Sequence, residues 1–359
     1  IKEKQAKEVV LPGARECTYG FPHIRKAHCM MGWDWGPRLP DAGIWRDIYL
    51  SEQDSARICD FHITQRHEKG NVFITPAVLT DRPCDLRVTL TDPDGHRLEI
   101  APNRETQITD PQLWWPNELG AQPLYKVTAE ILDNGIVAHQ STKQIGLRTL
   151  ELIRKRDQWG ESFYHQVNGI PFFAMGADYI PEDSILSRIT PQRTEKLLRA
   201  CKDSHFNAIR VWGGGFYPDD FFFDLCDQLG IVVFMDMMFA CCLVSGEAAF
   251  TENVTLELRE NLARIRHHAC IGVISGNNEA EQMYGYPAMA HLHPAYFKLF
   301  EQILPELIDT LCPYIPYVPS SPTTCGHFID PQNENYGDSH YWDVWHGNKP
   351  FTEYRKKFF

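Results

Sequence analysis

The stretch Ile271-Gly-Val-Ile-Ser-Gly-Asn-Asn-Glu279 decides the fold of the second half of the chain. It opens with a short apolar run, typical of a buried strand, and closes with two amides and a carboxylate. In parallel sheets whose strands are joined by helices, the residues at the carboxyl ends of the strands carry the chemistry. The stretch therefore predicts a buried parallel strand that presents Glu279 to a pocket.

Other apolar runs after Phe163 follow the same pattern, at residues 172–176, 208–212 and 231–235. Helical stretches at residues 191–204 and 219–229 lie between them. Strand and helix alternation predicts parallel strands with crossover helices, and polar strand ends favour a (β/α)8 TIM barrel over a doubly wound sheet. With residues 317–318 and 339–342 as the fifth and sixth strands, roughly six of the eight barrel strands are expected.

The preceding hundred residues have a different pattern. Short alternating runs such as Tyr125-Lys-Val-Thr-Ala-Glu-Ile-Leu132 are bounded by the turn signals Asp92-Pro-Asp-Gly95 and Asp133-Asn-Gly135. This regular strand spacing predicts a β-sandwich. Residues 1–52 are turn-rich and too polar to form a core alone.

Composition narrows the class of protein. The chain has 359 residues and a formal net charge of -12, with no basic block, so nucleic acid is not an expected partner. No apolar run has the length of a membrane span, and IKEKQAKEVV lacks the apolar region of a signal peptide, although the first residue is Ile rather than Met. Eleven scattered Cys residues indicate a reducing, cytoplasmic compartment.

Six motifs, taken in order along the chain, resemble those of a known family. In chain order they lie at residues 23–37 with 43–47, 113–125 with 145–148, 207–215, 235–241, 276–279 and 337–347. They resemble the β-mannosidases of glycoside hydrolase family 2. The resemblance implies the end of a jelly-roll sugar-binding domain at residues 1–52, an immunoglobulin-like β-sandwich at 53–152, and a catalytic barrel at 153–359.

The same resemblance implies a function and a set of site residues. The expected activity is that of a retaining exo-β-mannosidase, which removes terminal non-reducing β-D-mannose residues from oligosaccharides without a cofactor or metal. Glu279 would be the general acid/base, with a pKa raised by burial beside another carboxylate. The implied substrate-binding residues are Asn278, Trp212, Trp33, Asp34, Trp342, His346 and Arg210.

Several of the substrate-binding roles have a simpler alternative. Asn278, expected to meet the axial 2-hydroxyl of mannose, can also be a turn-stabilising amide. Trp33 and Asp34, expected to close the pocket from the N-terminal domain, can also belong to a packed turn. Arg210 can orient carboxylates or form an ion pair within the barrel.

A retaining mechanism also needs a second carboxyl group, about 5–5.5 Å from the first. The resemblance implies that this nucleophile is a Glu in a Ser-Glu-Phe/Tyr-Gly motif beyond Phe359, so the chain is expected to be truncated at both ends. Glu353 is a weak rival because no apolar strand precedes it. Two alternatives stay open: another family 2 exo-β-glycosidase, of the β-galactosidase or β-glucuronidase type, or a catalytically inactive carbohydrate-binding fragment.

Overall fold

A computed structural model describes residues 11, 13–15, 17–325 and 327–357. In the N-terminal part, two short 3-10 helices, Phe21–His23 and His28–Met30, precede a small antiparallel hairpin. The hairpin consists of β1 (Met31–Trp33) and β2 (Gly36–Arg38), and Trp33 pairs with Gly36 across its turn. Residues 1–10 of the predicted jelly-roll region lie outside the described residues.

The next unit is a sandwich of two antiparallel sheets. Its strands are β3 (Ile58–Glu68), β4 (Asn71–Thr80), β5 (Asp85–Thr91), β6 (Arg97–Ile100), β7 (Thr106–Ile108), β8 (Tyr125–Asp133) and β9 (Ile136–Ile145). One sheet has the order β3-β4-β7 and the other β6-β5-β8-β9. Alternate residues of β8, including Val127 and Ala129, are fully buried, so the predicted alternation places one face of each strand in the core.

A further antiparallel sheet, of three strands, follows the sandwich. It contains β10 (Leu150–Ile153), β11 (Tyr164–Val167) and β12 (Ile170–Phe172). Asn168 and Gly169 have φ of 48° and 81°, which suits the two-residue turn between β11 and β12. The strand predicted at residues 172–176 is therefore wrong in position, because Phe172 ends an antiparallel hairpin instead of starting the parallel sheet.

Five parallel strands form one sheet, and Glu279 follows the fourth of them, where the strands have their carboxyl ends. They are β13 (Asp178–Tyr179), β14 (Ala208–Val211), β15 (Val232–Asp236), β16 (Ile271–Ser275) and β17 (Tyr317–Val318), and their order in the sheet follows the chain. A doubly wound sheet reverses its strand order at a switch point, and this sheet does not. Parallel pairing with crossover helices is thus present in the described residues.

The sixth strand predicted at residues 339–342 is absent from the described structure. The backbone N–H of His340 donates to Oε1 of Gln332 at 2.7 Å instead of to a neighbouring strand. Only an isolated bridge between Thr323 and Asp338 approaches strand pairing in this segment. Side-chain hydrogen bonds therefore compete with sheet formation here.

Helices cover the parallel sheet. They are α1 (Pro191–Asp203), α2 (Asp220–Leu229), α3 (Ala248–Ile265), α4 (Ala280–Tyr284), α5 (His293–Tyr296) and α6 (Leu304–Leu311), with a π-helical segment at Phe297–Ile303 and further 3-10 helices at Leu186–Arg188, Pro287–Leu292 and Phe351–Lys356. The Thr190 side chain caps α1 by accepting from the Arg193 N–H, and Pro191 occupies the first turn. None of the described helices combines the length and apolar character needed to cross a bilayer.

The sandwich is fixed to the start of the strand that carries the site. Arg148, which follows β9, donates from Nε to the carbonyl of Ala269 and from Nη2 to the carbonyl of Ile271, both at 3.0 Å. Trp114 donates from Nε1 to the carbonyl of Asp227 at 2.8 Å. The Arg148 bonds hold the first residue of β16 in a defined place, and the Trp114 bond fixes the sandwich to α2.

Candidate active site

Glu279 lies four residues after the end of β16, in a turn whose backbone is tightly held. All five residues of β16 are buried. Asn277 stabilises the turn, because its Oδ1 accepts from the Ala280 N–H at 3.0 Å and its Nδ2 donates to the Pro319 carbonyl at 2.9 Å. The φ of Glu279 is 59°, a left-handed conformation that is uncommon for a residue with a Cβ and is frequent at functional sites.

Three side chains hydrogen-bond to the Glu279 carboxylate within the described part of the chain. Nδ1 of His340 lies 2.6 Å from Oε1, and Nε1 of Trp342 donates to the same oxygen at 3.3 Å. The Cys241 thiol lies 3.3 Å from Oε2. The Glu279 side chain is 19% exposed. A carboxylate that is held on both oxygens and still reaches solvent is positioned for chemistry on a bound molecule.

The pKa of Glu279 differs from the expectation. Burial raises it, but the hydrogen bond and positive charge of His340, with smaller effects of Cys241 and Trp342, lower it from 4.5 to about 2. The prediction of a raised pKa assumed a neighbouring carboxylate. The structure places an imidazole there instead, so Glu279 is ionised at neutral pH.

Arg210 fixes the amide of Asn278. Its Nη2 donates to Asp236 Oδ2 at 2.7 Å and to Asn278 Oδ1 at 2.9 Å. Because guanidinium has no acceptor, it must face the oxygen of the Asn278 amide and not the nitrogen. Nδ2 of Asn278 then faces Cys241 Sγ at 3.4 Å. One amide N–H and one oxygen lone pair of Asn278 remain for a ligand.

Asp236 completes this buried group. Its side chain is fully buried and also accepts from the backbone N–H of Gly213 at 3.0 Å. Burial raises the pKa of Asp236, the Arg210 charge opposes that effect, and the nearby Asp178 carboxylate adds to it, giving about 6. Asp236, at the end of β15, thus meets the Arg210 side chain of β14. The sequence pattern of polar strand ends predicted such a meeting.

Indole rings form one side of the site. Trp212 is 6% exposed and makes edge contacts with Trp33 and Trp35, at ring-centroid distances of 4.6 Å and 5.6 Å. A Cβ on Gly214 would collide with the Trp212 ring, which explains a glycine at this position. The glycine run 213–215 therefore lets the chain pass closely over the indole.

Trp342 and His346 belong to a more open part of the site. Trp342 is 46% exposed, and its ring lies 4.9 Å from that of His346. Nε2 of His346 approaches Asp34 Oδ2 at 3.7 Å, and both of these side chains are largely exposed. This contact brings the N-terminal hairpin to the segment that carries Trp342. The structure thus connects all eight predicted site residues, either through side-chain contacts or as neighbours in the chain, while their roles stay predictions.

Three residues of this cluster were missing from the predicted set: His340, Cys241 and Asp236. His340 lies in the motif at residues 337–347, and Asp236 ends an apolar strand, so both had a signal in the sequence. Cys241 also lies in a motif, at residues 235–241, but that motif does not indicate which side chain the thiol contacts. Its contact with Glu279 depends on the tertiary fold.

The described residues include one group with the spacing of metal ligands. It is formed by Asp92, Asp94 and His96, whose ligand atoms lie within 4.8 Å of one another in the turn between β5 and β6. Asp92 Oδ1 accepts from the backbone N–H groups of Asp94 and His96 at 3.0 Å and 2.8 Å. The turn geometry therefore accounts for the cluster, which belongs to the sandwich and not to the site around Glu279.

Two family models match the chain. A model described as a galactose-binding domain-like unit of glycosyl hydrolase 2 matches residues 1–46. A second, described as glycosyl hydrolases family 2, matches residues 56–148. Both matches lie N-terminal to the parallel sheet, so they concern the hairpin region and the β-sandwich.

Relatives and solved structures extend the similarity to the whole chain. Beta-mannosidase B of Emericella nidulans is 34% identical over 353 residues, covering 91% of this chain and 41% of the relative. Beta-mannosidase B of Aspergillus terreus is 34% identical over 351 residues, with the same coverage of 91% and 41%. The chain thus spans about two fifths of the length of these curated relatives.

The crystal structure of beta-D-mannosidase from Dictyoglomus thermophilum matches with a TM-score of 0.87 and 32% identity, covering 99% of this chain and 45% of that chain. A β-glucuronidase from Ruminococcus gnavus matches with a TM-score of 0.58, 14% identity, and coverage of 73% and 43%, which shows a similar fold alone. Residues 1–46 and 56–148 thus match models of glycosyl hydrolase family 2, and the chain is similar to proteins named β-mannosidase over most of its length.

Proposed function

We propose that this chain supplies the acid/base carboxylate and the sugar-facing side chains of a retaining exo-β-mannosidase, which releases terminal non-reducing β-D-mannose residues from oligosaccharides. The observation that carries the proposal is the Glu279 carboxylate, held on both oxygens after a parallel strand and joined by contacts to indoles and to an oriented Asn278 amide. Similarity to proteins named β-mannosidase supports mannose as the sugar.

In a retaining mechanism the same carboxyl group acts twice. It first gives a proton to the departing glycosidic oxygen, and it then takes a proton from the water that releases the sugar. The ionised Glu279 of this structure is the form needed for the second step. For the first step a proton must reach Glu279, and the nearest ring nitrogen is Nδ1 of His340, at 2.6 Å.

The second carboxyl group of a retaining mechanism is assigned to no described residue. Glu353 is unsuitable, since it lies in the 3-10 helix Phe351–Lys356 and its Oε1 accepts from Lys356 Nζ at 2.5 Å. That position is neither at the end of a parallel strand nor in contact with Glu279. The proposed role of this chain is therefore limited to acid/base catalysis and sugar binding.

The sugar-binding roles follow from the free donors and acceptors. The spare N–H and lone pair of Asn278 suit a hydroxyl group, and we assign them to the axial 2-hydroxyl of mannose. Trp212 with Trp33 provides an apolar wall for the pyranose ring. Asp34 and His346 offer polar groups for distal hydroxyls. A pocket closed from the N-terminal side in this way would admit only the end of an oligosaccharide, which gives exo action.

For this function we propose domain types that are more specific than the sheets themselves. The five parallel strands in chain order support a (β/α)8 TIM barrel across residues 153–359. The two-sheet sandwich supports an immunoglobulin-like domain at residues 53–152, and the hairpin region supports the end of a jelly-roll domain at residues 1–52. In such a barrel, Glu279 and Arg210 would face the same mouth.

The test compares p-nitrophenyl β-mannoside, β-galactoside and β-glucuronide as substrates of this chain extended to include the expected Ser-Glu-Phe/Tyr-Gly motif. We expect the highest kcat/KM for the mannoside, and we expect Glu279→Gln to lower it by about 10²–10⁴-fold. Isothermal titration with β-1,4-mannobiose measures binding in the same preparations. Faster hydrolysis of the galactoside or glucuronide would favour another exo-β-glycosidase, and binding without turnover would favour an inactive carbohydrate-binding fragment.

A further inference from the structure

We propose that Asp338, acting through Ser321 and His340, positions Glu279 and keeps a transferable proton on the imidazole beside it. The inference rests on the proposed acid/base role of Glu279. Asp338 makes no described contact with Glu279, and Ser321 contacts it only through its backbone carbonyl, which accepts from the Glu279 N–H at 2.9 Å. The side chains of both therefore act on the carboxylate as positioning groups. His340 is the group through which they act.

The four side chains form a continuous line of hydrogen bonds. Nδ1 of His340 lies 2.6 Å from Glu279 Oε1, and its Nε2 lies 3.1 Å from Ser321 Oγ. Ser321 Oγ donates to Asp338 Oδ2 at 2.5 Å. The other oxygen of Asp338 accepts from the backbone N–H of Thr323 at 3.0 Å. Asp338 is therefore anchored to backbone at one end of the line, and Glu279 lies at the other.

Counting donors and acceptors assigns the protons. A carboxylate can only accept, so the single hydroxyl proton of Ser321 must point to Asp338. Ser321 Oγ can then only accept from His340 Nε2, which requires an N–H on that nitrogen. Glu279 is also a carboxylate, so Nδ1 of His340 must carry an N–H as well. The hydrogen-bond pattern thus requires an imidazole with a proton on each ring nitrogen.

This arrangement supplies the first step of glycoside cleavage. The Nδ1–H bond of His340 breaks and an O–H bond forms at Glu279 Oε1, which removes the positive charge on the ring and the negative charge on the carboxylate together. The neutral ring that remains keeps its Nε2–H, and Ser321 still accepts from it. Asp338 and Ser321 therefore select the tautomer that is left behind. Glu279 can then pass the proton to the leaving oxygen.

The surroundings allow the line to be tested by substitution. Cys241 faces Glu279 from the opposite side, and Asp338 is the charged group that lies beyond Ser321 on the far side of the ring. The backbone N–H of His340 donates to Gln332, so the chain position of His340 does not depend on its ring contacts alone. Removing the Ser321 hydroxyl should therefore change protonation of the ring more than its location.

The first experiment varies the leaving group, and it uses the same extended protein as the test of the proposed function. We expect Ser321→Ala and Asp338→Asn to lower kcat/KM for β-1,4-mannobiose, whose leaving group needs a proton, by about 10²-fold. We expect little change for 2,4-dinitrophenyl β-mannoside, whose leaving group departs unprotonated. Asp343→Asn is the matched control, because Asp343 pairs with Lys349 in the same segment. Equal losses on both substrates would overturn the proposal.

The second experiment needs no turnover, so it separates this inference from the proposed function. Nitrogen-15 spectra of histidine-labelled protein at pH 7 report protonation of each ring nitrogen, and His340→Gln identifies the signals. We expect an N–H on both nitrogens of His340, and loss of the Nε2 proton in Ser321→Ala. An unprotonated ring nitrogen in the wild-type protein, or an unchanged ring in Ser321→Ala, would refute the relay even if the enzyme hydrolyses mannosides.

Discussion

The two sides of the candidate site are built differently. On the inner side, Asp236 is fully buried, Asn278 is 4% exposed and Trp212 is 6% exposed. On the outer side, Trp342 is 46% exposed, and the side chains of His346 and Asp34 are 63% and 42% exposed. The inner side is therefore preorganised by buried hydrogen bonds, whereas the outer side depends on weak contacts that a ligand can rearrange.

Glu279 lies between these two sides. Its pKa, compared with that of the buried Asp236, shows how the surroundings differ. Burial without enough compensation raises the pKa of Asp236 to about 6, despite its ion pair with Arg210. Burial also raises the pKa of Glu279, but the hydrogen bond and positive charge of His340 lower it to about 2. Two carboxylates joined through Asn278 and Arg210 thus have pKa shifts of opposite sign, and the contacts of each decide the sign.

The largest expected effect tests the inner side. Arg210→Met removes the partner of Asp236 and leaves a carboxylate buried without a counter-charge, so we expect the free energy of unfolding to fall by about 3–5 kcal/mol. Urea denaturation measures the change. Adding Asp236→Asn should recover part of the loss. A decrease below about 1 kcal/mol would mean that the inner side is not organised around this pair.

The second prediction concerns pH and contrasts the two carboxylates. The pKa of Glu279 falls from 4.5 to about 2, so its stabilisation is present above pH 4.5 and is lost as the pH falls towards 2. The pKa of Asp236 rises from 3.8 to about 6, so its stabilisation is present below pH 3.8 and is lost as the pH rises through 6. At about 1.4 kcal/mol per pKa unit, each effect is about 3 kcal/mol at most.

Denaturation series at several pH values measure this contrast. The stability of wild type relative to Glu279→Gln should grow as the pH rises from about 2 to 4.5. The stability relative to Asp236→Asn should shrink as the pH rises from 3.8 to about 6. Slopes of the same sign for both variants would contradict the contrast. A constant offset in either series reflects altered hydrogen bonding and leaves the slopes interpretable.

The third prediction tests the packing of the indole wall. Gly214→Ala places a methyl group against the Trp212 ring, so we expect a loss of about 1–3 kcal/mol in the free energy of unfolding. Intrinsic fluorescence should change as the ring shifts. Gly43→Ala is the matched control, because nothing lies within 4 Å of a Cβ at Gly43. Equal effects in the two variants would show that Trp212 is not confined.

The smallest expected effect belongs to the outer side. Asp34→Asn removes an exposed partner of His346 at 3.7 Å, and such pairs contribute only about 0–1 kcal/mol to stability. Thermal unfolding should be nearly unchanged. Affinity for β-1,4-mannobiose should fall, because the same carboxylate is proposed to bind a distal hydroxyl. A marked loss of stability would show that the outer side is as firmly built as the inner side.

Sequence patterns predicted much of this architecture. Alternation at residues 125–132 predicted a buried sandwich strand, and the apolar run before Glu279 predicted a buried parallel strand. The sixth strand at residues 339–342 was wrong, because the short run 339–342 carries no strand period and its backbone is held by a Gln side chain. Periodicity reports burial of a regular element, so it fails where local side-chain bonds replace the ladder.

By itself, the sequence determined the order of its units and the residues at strand ends, because hydrophobic spacing sets which elements form and which of their faces are buried. Only the tertiary structure decided what those residues contact. His340 meets Glu279 across 61 positions of the chain, and Arg210 meets Asn278 across 68. Contacts over such separations depend on how the sheet and loops pack, and they set the pKa of each carboxylate, which no local pattern encodes.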